Sequence, residues 1–566
     1  MKKVKYTKLW AFILVSTVMT SCSLDEQNYS SVTTDNYITS STQYEELVTA
    51  AYTQLRSLYN CTGVHCMFYG TDIYSRTGEL NDSQNGLDDY SYINPTNGAL
   101  SNWWNRNYDI ITKCNVALDR GEGINMSDQL RATRNAEVLT LRAYAYFNLV
   151  ETFGDVPLIL HELTTPTFNF ERASEQEVYK QIISDLNSAI QGGGLPSSLA
   201  TNDFGRVDAA MAHHLLGKIL LTRSYKSFAE SSDLANSISN LEAVLPLHPM
   251  SVNWDLLFDT QGGKYEYNNQ EIIFSIRFST NALYNTGSNS GWYQHFKTPN
   301  LITWPGLIDR TGPYWRTDPS YRPGDDYLES FEDGDVRGSE KYIVRHLYAT
   351  SAGEVNGVSF SKGDEVIYMP QHAMTDEEKT AYKTLHPTVY AIVNPNEYSK
   401  LWPEGNQNVV SPLIYKFYDT GVKQFTGSVN DGEDPMGTRD IIVFRSAETK
   451  FLLAEAYLKS GDQSKALQQV NDIRLRAGVS ALTSVDLDAV LDESGRELLG
   501  ESNRWMDLKR CGKLFERAFA HNPFVRRHHN SASDISNYFL IRPIPQSEIE
   551  RSGNTLTQNP GYAGAQ

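Results

Sequence analysis

Cysteine is scarce in this sequence, with five residues among 566. Cys22 stands alone near the N-terminus, and the spacing of the other four matches no zinc-binding pattern. Cys61 and Cys66 are close enough to form a disulfide, which an exported protein permits, or to be two buried thiols. His65 between them supplies one imidazole without a partner cluster, so it makes a weak case for a metal site.

Long apolar runs are also missing, and basic residues are fewer than acidic ones. No stretch after the N-terminal segment is apolar enough for a transmembrane helix. The chain has 50 Lys and Arg against 68 Asp and Glu, which gives a formal net charge of −18. Removing an N-terminal segment with four lysines and no acids would change this charge from −18 to −22. A field of this sign repels phosphate backbones, so we expect no nucleic-acid partner.

The motifs of the common catalytic sites are absent as well. The sequence has no Gly-x-Ser-x-Gly elbow, phosphate-binding loop, His-Glu-x-x-His pair or dinucleotide fingerprint. Acidic clusters at 325–326 and 332–335 lack EF-hand spacing and predict solvated loops, with a Ca²⁺ site as the alternative. A catalytic pair of carboxylates, as in glycosidases, stays an open alternative, because the distance between two carboxylates depends on the fold. We expect no enzyme, no cofactor and no metal.

The N-terminal segment is typical of an exported lipoprotein. Residues 1–21 predict a signal peptide, with four lysines followed by an apolar run over Leu9–Val18 that is too short to cross a bilayer. Small residues precede Cys22, and this pattern resembles a bacterial lipobox, in which acyl chains on Cys22 would anchor the protein. An ordinary signal peptide with a chance cysteine is the alternative.

The next segment, residues 22–40, predicts a lipidated tether, because it is rich in Ser, Thr, Asn and Asp. Asp25 and Glu26 follow the lipid cysteine directly. This acidic patch resembles the surface-export signal of Bacteroidetes lipoproteins, and a solvated acidic linker is the alternative. We expect a protein that is lipid-anchored in the outer membrane and faces the cell exterior.

Hydrophobic periodicity predicts a mainly α fold. Apolar residues recur at helical spacing through an N-terminal helical part, residues 41–250. Over 251–440 that periodicity fades, and Gly, Pro and Asn separate short β-like runs. This middle part predicts a large, loop-rich elaboration with short strands and a ligand-binding role. Helices return in the C-terminal part, 441–566, which we expect to end in an extended strap at Pro543–Pro545.

The segment 450–474 resembles a tetratricopeptide repeat. Leu453, Ala454 and Tyr457 occupy the positions of its first helix, and Ala466 and Val470 those of its second. Small residues on both helices allow close packing, and the large ones fill the groove between them. Residues 216–229 match the spacing of this repeat more weakly. The sequence therefore predicts an irregular tetratricopeptide-like scaffold of helical pairs.

Ordered motifs along the mature chain resemble those of the SusD/RagB family of outer-membrane nutrient-binding lipoproteins. They are Trp104, Tyr108, Ile111 and Asn115, then RAYAYF (142–147), FGDVP (153–157), RSAE (445–448), LAEA (453–456), REL (496–498), RWMDLKR (504–510), PIPQSEI (543–549) and QNPGY (558–562). Gly495 and Ser502 depart from the family pattern, at positions that belong to the scaffold. The middle part matches the family least.

The resemblance implies a surface protein that binds a polysaccharide or oligosaccharide and delivers it to a SusC-like TonB-dependent outer-membrane transporter. A peptide-binding protein of the RagB type is one alternative, and a lipid-anchored glycoside hydrolase is a less favoured one. A third is a helical scaffold that binds proteins alone. The identity of the glycan stays open.

Aromatic residues in loops are the candidate ligand contacts, because sugars present C–H faces to flat rings and hydroxyl groups to short polar side chains. The first group lies in Gly-, Asn- and Pro-rich segments of the middle part: Trp292, Tyr293, Trp304, Tyr314 and Trp315. The second lies near the first helices, where the resemblance also implies ligand loops: Asp72, Tyr74, Trp103, Trp104 and Asn107. We expect the rings of the first group to be exposed, with burial in the core as the alternative.

Overall fold

The computed structural model describes residues 38–75, 86–279, 290, 292, 296, 304–307, 321–324, 326–398, 411–419, 437–501 and 503–564. The predicted signal peptide, Cys22, Asp25 and Glu26 lie outside the described residues. None of the described helices is both long and apolar enough to cross a membrane.

The N-terminal part consists of helices, each long one packed against a neighbour in the chain. They are α1 (Ser41–Tyr59), α2 (His65–Phe68), α3 (Gly98–Gly121), α4 (Asp128–Phe153), α5 (Glu175–Gln191), α6 (Ala209–Arg223) and α7 (Asp233–Val244). Ser40 and Gln43 form a capping box at the start of α1. Helix α4 ends where the FGDVP segment predicts, since Gly154 adopts a φ of +70° and Pro157 follows.

Most of the short strands lie in the middle part, as its sequence predicts. They are β1 (Tyr74–Ser75), β2 (Ile272–Ile276), β3 (Arg322–Pro323), β4 (Ile343–Val344), β5 (His346–Tyr348), β6 (Gly353–Val355), β7 (Val358–Phe360), β8 (Glu365–Tyr368), β9 (Ala391–Ile392), β10 (Leu413–Ile414) and β11 (Ile441–Arg445), with helices α8 (Asp255–Phe258) and α9 (Asp376–Leu385). β8 joins β5 and a parallel β9 in a three-stranded sheet. The antiparallel pairs are β1–β3, β4–β10, β2–β11 and β6–β7.

The C-terminal part is again helical. It contains α10 (Ser446–Ser460), α11 (Gln463–Arg476), α12 (Leu487–Glu497), α13 (Arg504–Arg510), α14 (Leu514–His521), α15 (Pro523–His528) and α16 (Gln546–Arg551). The strap Pro543–Pro545 lies between α15 and α16. The Asn559 side chain donates 2.8 Å hydrogen bonds to the carbonyls of Arg542, next to the strap, and of Phe153, which places the strap across the end of α4. The division of the chain at 250 and 440 stays a prediction.

Two helical pairs have the close packing expected of tetratricopeptide-like repeats. In the pair α10–α11, Ala454 and Ala466 are fully buried, and Gly461 makes the turn with a φ of +87°. In the pair α6–α7, a Cβ atom on Gly217 would lie 2.6 Å from Leu241 Cγ, so glycine permits the contact. The predicted mainly α, tetratricopeptide-like fold is confirmed.

The start of the C-terminal helices differs from the prediction. Residues 441–445 form β11 instead of the first turn of a helix, and α10 begins at Ser446. The strand Ile441–Arg445 is buried throughout and pairs with β2. A short, β-branched run that is buried on both faces fits a sheet better than a helix, and periodicity alone does not separate the two.

Buried charges form one connected ion cluster, which we define as Glu271, Arg337, Lys416, Arg445, Arg476, Glu493, Glu497 and Glu501. Arg445 lies at its centre, with nitrogen–oxygen distances of 2.8 Å to Glu271, 2.6 Å to Glu497 and 2.5 Å to Glu501. Glu497 also pairs with Arg476 and, at 3.1 Å, with Arg337. The cluster therefore joins β2, β11, α11, α12 and two segments of the middle part.

Electrostatics in the ion cluster favour the charged carboxylates. Burial raises the pKa of Glu497, but Arg476, Arg445 and Arg337 together hold that pKa well below its ordinary value. Burial lowers the pKa of Lys416 to about 8, although Glu501 opposes the shift. Other buried charges are paired as well: Arg142 binds Asp185 with two 2.8 Å contacts, and Glu448 accepts from Lys218.

We expect Arg445→Met to lower the free energy of unfolding by about 3–5 kcal/mol, because it leaves three buried carboxylates without their central cation. Arg106→Ala is the matched control: Arg106 pairs with Asp109 at the surface, and its loss should change stability by less than about 1 kcal/mol. Urea unfolding of both variants measures the difference. Equal losses in the two variants would contradict a structural role for the ion cluster.

Candidate functional site

The cysteines and His65 form no metal site in the described chain. Cys61, Cys66, Cys114 and Cys511 are free thiols, so the buried alternative holds for Cys66 and the disulfide does not form. Burial raises the pKa of Cys66 to about 11. His65 Nδ1 lies 2.6 Å from the Tyr321 hydroxyl. Across the described residues, no group of three or more His, Cys, Asp or Glu is arranged for a metal ion.

Three of the four described acidic residues in the acidic clusters of the middle part, namely Asp326, Glu332 and Asp335, are ion-paired. Asp335 is buried, and its carboxylate lies 2.6 Å from Arg337, which contradicts the prediction of a solvated loop at this residue. Glu332 pairs with Arg474 at 2.5 Å, and Asp326 with His521 at 3.1 Å. Asp325 lies outside the described residues.

An aromatic cluster brings the two predicted groups of site residues together. We define the aromatic base as Phe68, Tyr69, Tyr74, Trp292, Phe296 and Tyr321. Phe68 is central, with ring centroids 4.8 Å from Tyr74, 4.9 Å from Tyr321 and 5.8 Å from Trp292. Most of these pairs have the tilted or edge-to-face geometry that aromatic quadrupoles favour. Tyr74 of the second group and Trp292 of the first therefore belong to one cluster.

Gly500 connects the aromatic base to the C-terminal helices. Its carbonyl accepts a 3.0 Å hydrogen bond from Trp292 Nε1, and its amide donates to the Tyr74 hydroxyl. Gly500 has a φ of +74°, and a Cβ atom there would overlap the rings of Phe417 and Phe296. Only glycine combines this backbone conformation with this close approach.

Asp72 holds the chain next to β1. Its carboxylate accepts from Arg504 at 2.8 and 2.6 Å and from Arg517 at 2.7 Å. Burial raises the pKa of Asp72, but Arg504 and Arg517 outweigh it and hold that pKa well below its ordinary value. Asp72 thus fixes the position of β1 against α13 and α14, and both of its oxygens are already engaged.

Trp103 and Asn107 lie on the inner side of α3. Trp103 Nε1 donates to Thr152 Oγ1 at 3.1 Å, and the Asn107 amide donates to the Trp103 carbonyl at 2.7 Å. Both residues are fully buried. Trp104 points elsewhere: its ring contacts Tyr108 and Phe153, with centroids 5.0 and 5.1 Å away.

The expected exposure is wrong for the two described tryptophans of the first group. Trp292 is 4% exposed and Trp304 is 1% exposed, so neither offers a free ring face. The physical reason is packing: Trp292 lies between Tyr59, Phe68 and Phe296, and the chain beside Trp304 is held by a 2.7 Å bond from the Thr350 amide to the Gly306 carbonyl. Tyr293, Tyr314 and Trp315 lie outside the described residues. Ligand contact stays a prediction for the whole set.

Sequence reasoning missed part of the aromatic base, namely Phe68, Tyr69, Phe296, Tyr321 and Gly500. The run Cys66–Tyr69 did carry a signal, since four apolar residues in a row next to Gly70 are typical of a buried segment. Phe296, Tyr321 and Gly500 carried none, because their neighbours come from distant parts of the chain.

Comparison with known proteins identifies the family. A model described as the SusD family matches residues 254–562, which is more than half of the 566 residues. The chain belongs to the SusD family. A second model, described as starch-binding and associating with the outer membrane, matches residues 23–202. Association with the outer membrane is the localisation described for these proteins.

Individual relatives agree with this assignment. The chain is 26% identical to the SusD-like protein P2 of Formosa agariphila over 82% of its own length and 81% of the relative's. It is 23% identical to the starch-binding protein SusD of Bacteroides thetaiotaomicron, over 80% of its own length and 77% of the relative's. Among solved structures, the surface glycan-binding protein A from Bacteroides thetaiotaomicron has the same fold, with a TM-score of 0.68, 20% identity and coverage of 93% and 100%. A laminarin-binding SusD-like protein has a TM-score of 0.65, 22% identity and coverage of 93% and 100%.

We expect Trp292→Ala to lower the free energy of unfolding by roughly 3–5 kcal/mol, because it removes a buried ring and its bond to Gly500. The control is Tyr348→Ala, since Tyr348 lies on β5 with 48% of its surface exposed and should contribute little. Thermal and urea unfolding measure both. A Trp292→Ala protein as stable as the wild type would show that the ring is not part of the core.

Proposed function

We propose that this SusD-family protein binds a polysaccharide or oligosaccharide at the outer surface of the cell and delivers it to a SusC-like TonB-dependent transporter. Its relatives support this ligand class: SusD of Bacteroides thetaiotaomicron is a starch-binding protein, and one structural neighbour is a laminarin-binding protein. The transporter is the partner that family membership implies. In this proposal the protein binds its ligand and catalyses no reaction.

The observation that carries the proposal is the aromatic base, whose residues Trp292 and Tyr321 adjoin the predicted ligand segments in the sequence. Trp292 precedes Tyr293 directly, and Tyr321 follows the segment that carries Tyr314 and Trp315. Both Trp292 and Tyr321 are buried in the base. Binding residues are commonly carried by loops whose ends are held by a rigid scaffold.

In this proposal the buried candidates and the candidates outside the described residues have different tasks. We assign ligand stacking to Tyr293, Tyr314 and Trp315. Trp292, Trp304, Asp72, Tyr74, Trp103 and Asn107 would support the segments around them without touching sugar. Rings that stack on sugar C–H faces must have an open face, which the buried residues lack.

We expect Trp315→Ala to weaken glycan binding by about 1–2 kcal/mol, the energy of a typical aromatic contact, while the melting temperature stays near that of the wild type. Isothermal titration against laminarin, starch oligosaccharides and a wider glycan panel measures this, with Tyr348→Ala as the control that retains full affinity. Binding to peptides and to no glycan would contradict the saccharide ligand. Sustained release of reducing sugar would instead show a hydrolase.

The anchor is tested separately. Cys22→Ala removes the acyl acceptor of the predicted lipobox, so the protein should leave the membrane fraction and lose lipid label. Replacing Asp25 and Glu26 by Ala should retain the lipid and reduce cleavage by protease added to intact cells. Membrane-bound, lipid-labelled Cys22→Ala protein would contradict the lipobox, and unchanged cleavage would contradict the export signal.

A further inference from the structure

A second surface of the protein has the make-up of a ligand site. It is an open cleft of about 480 Å³ between α3, the segment 157–170 and the C-terminal helix α16. Its aromatic wall contains Trp104, Tyr108, Phe168 and Phe170. The volume lies in the range of sites that hold small ligands. The cleft shares no residue with the aromatic base.

Helix α3 presents two parallel rows to this cleft. Trp104 and Tyr108 are four residues apart and form an aromatic row. Asn105, Asp109 and Thr112 follow at the same helical spacing and form a polar row beside it. The Asn105 amide makes no hydrogen bond within the described part of the chain. The helix therefore places donors and acceptors next to flat rings, along one edge of the cleft.

The opposite wall is held in place by the C-terminal segment. Thr555 Oγ1 donates to the Phe170 carbonyl at 3.2 Å, and Arg172 donates to the carbonyls of Asp155 and Thr557 at 2.8 and 3.1 Å. Tyr108 also donates to the Pro157 carbonyl at 2.8 Å. These bonds position Phe168 at the mouth of the cleft, where 62% of its surface is exposed.

We propose that this cleft is a second saccharide-binding site, distinct from the one proposed at Tyr293, Tyr314 and Trp315. The inference takes its class of ligand from the proposed function. One or two sugar rings would place a C–H face on the exposed ring of Phe168, and direct their hydroxyl groups to Asn105, Asp109 and Arg551. Arg551 lies at the rim with 67% of its side chain exposed, paired at 2.7 Å with Glu548.

The mixture of rings and polar groups favours a saccharide over an apolar partner. A protein or lipid that covered Phe168 would also bury Asn105, Asp109 and Thr112 and would have to satisfy each of them. A sugar carries hydroxyl groups around the edge of an apolar face, so it satisfies the polar row and covers the Phe168 ring together. Waters at an open cleft bridge the remaining contacts.

The test uses the full-length protein and the glycan that binds best in the panel, in short and long forms. Isothermal titration of the wild type with the short form should give two sites per protein. Phe168→Ala and Arg551→Ala remove exposed side chains, so both variants should fold. Each should weaken the cleft site about tenfold and leave the other site unchanged. Tyr348→Ala, an exposed ring outside the cleft, is the matched control and should retain both sites.

Separate outcomes distinguish this inference from the proposed function. A single wild-type site that is lost in Trp315→Ala and unaffected by Phe168→Ala would overturn the cleft and leave the proposed function standing. Phe168→Ala protein could instead bind saccharide as the wild type does and no longer recover an outer-membrane protein that the wild type recovers. The cleft would then be a protein-docking surface, and the inference would also be overturned. Failure of the wild type to bind any glycan would contradict both.

Discussion

The contact between Arg445 and Glu497 is the constraint on which the rest of the structure depends. A buried guanidinium and a buried carboxylate are costly to leave unpaired, so the segments that carry them must meet. The Glu497 carboxylate also engages Arg337 and Arg476, and the Glu497 backbone carbonyl accepts a 2.9 Å hydrogen bond from Lys416. One ion cluster thus selects the arrangement of β11, α11 and α12 relative to the middle part, which apolar packing alone specifies less uniquely.

The influence of this cluster extends to the candidate ligand site through adjacent residues. Glu501 pairs with Arg445, and its neighbour Gly500 bonds both Trp292 and Tyr74. Tyr74 and Trp292 in turn contact the rings of Tyr321 and Phe296. A helical frame fixed by charge therefore holds an aromatic base, and the base holds the ends of the segments that we assign to glycan binding.

Local patterns in the sequence predicted the helical pairs and the stop after Phe153, because each depends on neighbours within one or two helices. The strand at 441–445 was missed, because a short buried apolar run has no distinctive period. The burial of Trp292 was also missed. Its decisive partner, Gly500, lies 208 residues away, and no local pattern reports a contact of that kind. The aromatic composition of the site was predictable, but which rings are covered was not.

The most direct measurement is amide hydrogen exchange of the full-length protein with and without a bound glycan. The account predicts slower exchange on binding in the segments next to Trp292 and Tyr321, with exchange in α10 to α12 unchanged, because the frame is already formed. Protection throughout α10 to α12 would contradict a preformed frame. Protection nowhere near Trp292 and Tyr321 would contradict a glycan site next to the aromatic base.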